Sequence, residues 1–465
     1  MEKPALTQRH VNLFALANGL NMMAQTIPLM YLTLFMTDYL HISPVAIGTG
    51  LLIAKTVDFL VGLVAVIIIE KSRLKHKYLS WIRLLTVTLF FGNIVQVLDT
   101  TAFISSPTVR LAIVCVFYAM FHCSMNFNAT ARATMIAKMA GADMEGRKMI
   151  TARQAQVGAA ASIVSSAVTL PAIHLVEKLT GSPSLGYFVV ALIFSSCFAV
   201  TNLIFCKSAE GFDPPAAAGT VRKTATVAQM VQSVVTNKQM LVLFFGFTFF
   251  TIGTQIYSGV TAYFFRVTGN FSYMTIPLTA RSICAFLASM IGPTLGRKLG
   301  KKKALLTAWF VYAAGALCLW KFALRADGTA NLPMVTVIMC LCQSAMYLYT
   351  VFLTTYYLDC GEYGYYTSGI DNRTMAVTVM NWPTKIGFAL GGSLVGYTVG
   401  WAGYHAPVDG AAAYFESMDK FLMVWGLFPA VLMVVGAVII MLGYKLTDEQ
   451  AAMYARANAE RELSV

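Results

Sequence analysis

The chain of 465 residues is 57% hydrophobic and only 12% charged, where soluble domains run at roughly 45–50% and 25%. That balance excludes an ordinary soluble enzyme or binding module and reads as a polytopic membrane protein. The net charge of +13 is not a nucleic-acid footprint, because the basic residues collect in alternate loops, as membrane topology requires.

Twelve apolar stretches of about 20 residues or more, the length a bilayer needs, predict an all-α membrane protein. Met1 to His10 is short and polar. The first stretch, 12–37, has full span length and no small-residue cleavage site, so no signal peptide is expected. The second, 45–69, carries Lys55 and Asp58 near its middle, one turn apart on one helix face. A charge at the bilayer centre costs roughly 2.5–3.5 kcal/mol by insertion scales. The pair is therefore either a structural ion pair that fixes helix packing or the handler of an ion, a proton or a substrate. Lys71, Arg73, Lys75, His76 and Lys77 form the basic loop that follows. Spans are expected next at 79–98 and 108–136. The latter holds Asn126 and Asn128 at mid-depth, as inter-helix glue or as ligand groups. Arg132 lies nearer its end, where snorkelling to the cytoplasm is expected. Arg153 opens the span at 151–175, and 185–206 completes a first half.

The longest polar stretch, 207–239, contains Asp213-Pro214-Pro215 and then small residues, a linker composition. Val227, Met230, Val231 and Val234 follow at helical spacing and predict a short interfacial helix. The expected organisation is a six-helix half at 1–206, a cytoplasmic linker at 207–239 and a second six-helix half with a short tail at 240–465. Spans of the second half are expected at 240–265, 272–295, 304–323, 332–358, 374–402 and 420–444. Arg281 lies in the eighth span, and Asn381 and Lys385 in the eleventh. A second basic loop runs from Arg297 to Lys303. An even number of spans puts both termini on one side. The basic loops make that side the cytoplasm and face anionic membrane lipid, so a multi-pass cell-membrane protein is expected.

The halves echo each other. Ala54-Lys55-Thr56-Val57-Asp58 aligns with Ala280-Arg281-Ser282-Ile283-Cys284, and the same offset superposes the two basic loops. Two parallel six-helix repeats are the major facilitator architecture, with solute sites near the midplane. Lys55, Arg153, Arg281 and Lys385 are four cations against Asp58 as the clear mid-membrane anion. Unpaired buried charges are costly, which motivates an anionic solute. Pro28, Pro171, Pro277, Pro383 and Gly391-Gly392 fall within spans and are expected to bend them. The nine cysteines have neither metal nor disulfide spacing. No nucleophile with a base and no phosphate loop is present, so neither an enzyme nor a cofactor is expected.

These residues resemble the glycoside-pentoside-hexuronide:cation symporter family, in its melibiose-carrier-like branch. Asp359-Cys360-Gly361-Glu362-Tyr363 is similar to the family's D-Y-G-E-Y/W, and Thr169-Leu170-Pro171, Thr37-Asp38 and Ala54 to Asp58 match further motifs. The resemblance implies a secondary active transporter with Asp58, beside Lys55, in the cation site. It places Arg153 and Lys385 at the solute and cation sites. Asn126, Asn128, Arg281 and Asn381 are the other candidate solute ligands, and Asp359 and Glu362 the candidate cytoplasmic gate contacts with the basic loops. The melibiose carrier's second cation-site aspartate falls at Gly62, and its sugar carboxylates fall at Met22 and Asn126. A single aspartate beside a lysine fits H⁺ coupling better than Na⁺. The expected solute is a sugar-like or anionic glycoside or hexuronide, carried by a monomer. A carrier of a non-sugar organic anion or lipid-like solute, proton-coupled or facilitative, stands as the alternative.

Overall fold

The computed structural model describes residues 4–72, 74–141, 143–214, 227–350, 352–369, 379–408 and 411–463. Arg73, the linker residues 215–226 and the opening of the expected span 374–402 lie outside them. Among the described residues, ten helices are long and apolar enough to cross a membrane. Two further segments complete the twelve expected spans. The first span is divided into α1 (Gln8–Ala24), α2 (Thr26–Met30) and α3 (Leu32–Asp38), so no single piece reaches span length. The breaks at Gln25 and Tyr31 flank Pro28, which lacks an N–H and whose ring displaces the preceding carbonyl. The eleventh span is less apolar because it carries Asn381, Pro383 and Lys385.

The remaining helices of the first half are α4 (Pro44–Lys71), α5 (Lys77–Val95), α6 (Pro107–Ala140), α7 (Met144–Thr180) and α8 (Pro183–Ser208). Helices α4, α6 and α8 each start with Ser then Pro, since proline is pre-shaped for the first turn, where its missing N–H costs nothing. Helix α7 starts seven residues before the expected 151 and runs through Pro171.

After α9 (Val227–Thr236) come α10 (Lys238–Val267), α11 (Thr275–Leu299), α12 (Lys301–Phe322), α13 (Leu332–Thr350) and α14 (Leu353–Ser368). In α9, Val234 is buried and Val231 exposed; the side chains at 227 and 230 lie outside the described residues. Then follow α15 (Asn381–Trp401), a two-stranded ribbon pairing Tyr404–His405 with Tyr414–Phe415, α16 (Met418–Leu422) and α17 (Phe428–Gly443). A π-helical turn at Met423–Leu427 joins the last two, just before Pro429. Pro277 and Pro383 each stand third in their helix. Each follows a local break, the 3-10 turn Phe271–Met274 before Pro277 and the turn at Met380 before Pro383, as Pro28 follows the break at Gln25. The short tail forms α18 (Asp448–Leu463).

Two compact units result, Met1–Thr224 with Ala406–Ala411, and Ala225–His405 with Ala412–Val465. In the first, α1 packs on α7 and α8, and α6 on α4 and α5. Val11, Phe14, Leu79, Ile82, Met135 and Phe205 fill its core. In the second, α11 packs on α13, and α10 on α15 and α17. Trp309 stacks on Phe250 at 4.2 Å in an aromatic core. Gly391 is a contact residue rather than a hinge, because a Cβ there would sit 2.6 Å from that of Gln255. Many apolar side chains, such as Ile53, Val116 and Val337, point outward; bilayer hydrocarbon accepts them, while helices satisfy the backbone internally.

Candidate functional site

Asp58 and Lys55 face the same side of α4, with Nζ 3.8 Å from Oδ2 and both side chains no more than 10% exposed. Helix α6 supplies the rest of the cluster. The Asn126 amide donates to the Asp58 carboxylate at 2.6 Å and to the Asp58 carbonyl at 3.1 Å. The Lys55 ammonium stands 5.0 Å from the Tyr118 ring centre. Tyr118, His122 and Asn126 recur every four residues and so share one face of α6. The His122 ring packs edge-on against Tyr118 at 4.3 Å, and its Nε2 is buried without a hydrogen-bond partner. Tyr118 and His122 are an aromatic and a histidine within an apolar span, unmarked by composition. The signal that finds them is the four-residue spacing back from Asn126.

The cluster is one carboxylate held by an amide, with an ammonium just beyond hydrogen-bond distance. It is a poor cage for a hard metal ion, which needs about six oxygen ligands. Among the described residues no group of three His, Cys, Asp or Glu side chains could hold a metal.

Asn128 belongs to a different cluster. Its Oδ1 accepts from Arg132 Nε at 3.3 Å, Arg132 also donates to Asn202, and Asn202 donates to Thr86 at 2.7 Å. Arg132 does not snorkel. It is 5% exposed and lies against the rings of Phe14 and Phe205. A buried guanidinium needs acceptors, and Asn202, unremarked in sequence, provides one from α8. The network pins α6 to α5 and α8. Arg153 is half-buried and donates to Asn12 of α1 at 2.8 Å and to Gln156 at 3.3 Å. Neither arginine joins the Asp58 cluster.

In the second unit, Arg281 lies on α11 within electrostatic reach of Tyr257, Tyr312 and Cys340. Asn381 opens α15 and is exposed; Lys385 stands one turn later, half-buried. Asp359 and Glu362 sit on helix α14. Asp359 pairs with Lys301 of the second basic segment, and Lys301 pairs with Asp448 at 3.3 Å. Glu362 accepts from Asn458 at 2.8 Å. The tail helix α18 is thus a second holder of the expected gate residues.

The units share a device that the sequence echo did not include. Asp213, just past the sixth span, accepts from the second and third amides of α5, Tyr78 and Leu79, and from Lys138. Asp448, just past the twelfth, accepts from the first amide of α12, Lys301, at 3.3 Å. In each half a carboxylate following the last span caps the start of the third.

A model of the MFS/sugar transport protein family matches residues 13–448. The isoprimeverose transporter of Lactiplantibacillus pentosus is 21% identical over 380 residues, covering 81% of this chain and 76% of that protein. The putative glycoside/cation symporter YagG of Escherichia coli (strain K12) is 23% identical over 444 residues, covering 91% and 89%. Among solved structures, the nucleoside transporter NupG superposes with a TM-score of 0.63 at 16% identity, over 95% of this chain and 100% of that one. The D-xylose-proton symporter superposes at 0.62 and 12% identity, over 94% and 98%. These structural likenesses concern the fold.

Proposed function

The chain belongs to the MFS/sugar transport protein family and is a non-enzymatic secondary transporter, and from that premise we propose that it couples H⁺ to the symport of a sugar-like or anionic glycoside solute by alternating access. The observation that carries this reading is the Asp58–Lys55–Asn126 cluster. A mid-membrane carboxylate is costly unless it is used or paired. Here its pairing is incomplete, with an ammonium at 3.8 Å that can reach the carboxylate or release it. Protonation of Asp58 removes the charge that holds Lys55 and the Asn126 amide beside it, so proton uptake bears on the same groups as solute binding. Arg153, Arg281, Asn381 and Lys385 are the proposed solute ligands, the positive charge of the two arginines and the lysine suited to a carboxylate or sulfate. The Asp359–Lys301 contact, with Glu362 beside it, is proposed to loosen as the protein opens to the cytoplasm, where both termini would lie. The glycoside solute rests on the names of the relatives and the H⁺ on the thin oxygen set around Asp58; neither a metal nor a cofactor enters the reading.

The test is uptake into reconstituted vesicles under an imposed pH gradient, comparing neutral glycosides, hexuronides and other organic anions, with Asp58→Asn beside wild type. Accumulation that the mutant loses supports coupling at Asp58. Downhill flux that survives Asp58→Asn makes this a facilitator and returns Asp58 and Lys55 to a structural ion pair. Uptake of neutral sugars alone removes the anionic solute.

A further inference from the structure

A cavity of about 440 Å³ in the first unit is lined by Arg9, His10, Ile204, Lys207 and Ser208. It lies between the start of α1 and the end of α8, two helices that pack on each other. This is the end of the unit where Asp213 caps α5. Among the described residues neither Arg9 nor Lys207 has an acidic partner. The nearest carboxylate along the chain, Glu210, is committed to Arg83. The His10 ring accepts from the Thr7 amide through Nδ1 at 3.3 Å, which places its proton on Nε2 and leaves it a donor.

An apolar surface runs beside the cavity. Ile193, Val200 and Ile204 are 52%, 58% and 46% exposed, and they fall with Lys207 on one face of α8 by helical spacing. The opposite face, Phe198, Asn202 and Phe205, is buried. Leu16, two turns into α1 from Arg9, is exposed as well. From Ile193 to Lys207 the helix rises about 21 Å, more than the ~15 Å of hydrocarbon in one leaflet. An acyl chain lying along this stripe ends at two uncompensated cations.

We propose that this cavity binds the phosphate headgroup of an anionic phospholipid, with Arg9 and Lys207 as the charged ligands and His10 as a neutral donor. The apolar stripe leading into it selects a lipid over a free phosphate ion, which has no use for Val200 and Ile204. The site stands apart from the Asp58 cluster and is independent of the transport reading.

The test is lipid retention by the full-length protein, measured by native mass spectrometry from mixed micelles, with melting temperature as a second readout. The probes are phosphatidylglycerol, phosphatidylcholine and inorganic phosphate. Wild type is expected to retain and be stabilised by phosphatidylglycerol above phosphatidylcholine. Arg9→Gln and Lys207→Gln are each expected to weaken that binding about fivefold. Both side chains are exposed, so the fold is expected to survive, as melting in phosphatidylcholine will show. Lys303→Gln removes an exposed charge from the other basic segment and is expected to leave retention unchanged. The proposal is overturned by equal retention of the two lipids, by a Lys303→Gln loss as large as that of Lys207→Gln, or by inorganic phosphate stabilising the protein as well as phosphatidylglycerol does.

Discussion

Asp213→Ala is expected to destabilise the first unit by about 3 kcal/mol, from two unpaired amides and a lost ion pair. Asp213 is fully buried and accepts from the Tyr78 and Leu79 amides at 2.8 and 3.0 Å and from the Lys138 ammonium at 2.6 Å. Alanine removes every acceptor. Each amide left buried and unpaired costs about 1–3 kcal/mol, while lost N-caps cost about 0.5–2 kcal/mol, so about 2 kcal/mol is assigned to the helix start. The Lys138 side chain is 32% exposed and rehydrates, so its ion pair adds at most about 1 kcal/mol. In a unit of this size each kcal/mol moves the midpoint by about 2–4 °C, and a drop of roughly 6–12 °C follows. The assay is melting in detergent followed with a thiol-reactive dye, because Cys206 is buried in the core of that unit. Asp213→Asn keeps one acceptor oxygen and is expected to recover about half of the loss. An alanine variant that melts within about 2 °C of wild type would mean that the start of α5 does not depend on this carboxylate and would return Asp213 to a linker role.

Asn202→Leu strands most of the buried Arg132 guanidinium and is expected to cost about 3–5 kcal/mol, read as a lower melting temperature and lower yield. Asn202→Asp offers Arg132 a counter-charge at the same place and should melt at or above the temperature of wild type. Gly391→Ala meets Gln255 and the Ile252 carbonyl and should cost about 1–3 kcal/mol. Gly392→Ala meets nothing within 4 Å and should be neutral or slightly stabilising, with transport intact; loss of transport without loss of stability would restore a hinge there. His122→Phe keeps the ring contact with Tyr118 and removes the free Nε2. Uptake is expected to fall about three- to tenfold, the worth of one neutral hydrogen bond, at unchanged melting temperature. Full uptake would make His122 a packing residue.

Span number, the two-fold internal echo and the mid-membrane pair Lys55–Asp58 were legible in the sequence. Hydrocarbon forces about 20 apolar residues per crossing, and a charge within such a run stands out without any knowledge of packing. The basic segments were legible for the same reason, and Lys301 of the second is paired with Asp359 of the D-x-G-E-Y motif. What remained hidden depends on which side chains meet across helices. Asparagine is common enough in spans that nothing in the chain separates Asn126, which holds Asp58, from Asn128, which holds Arg132. Arg132 near a helix end reads as a snorkelling residue until the Asn202 acceptor from α8 is in place. Asp213 reads as a linker residue because its ligands lie 134 and 135 positions earlier in the chain. Local composition determined where this chain crosses the membrane and that it carries charge there. Tertiary contact alone decided which of those charges are consumed by the scaffold and which are left for chemistry, because a buried polar group is defined by partners that lie far away in sequence.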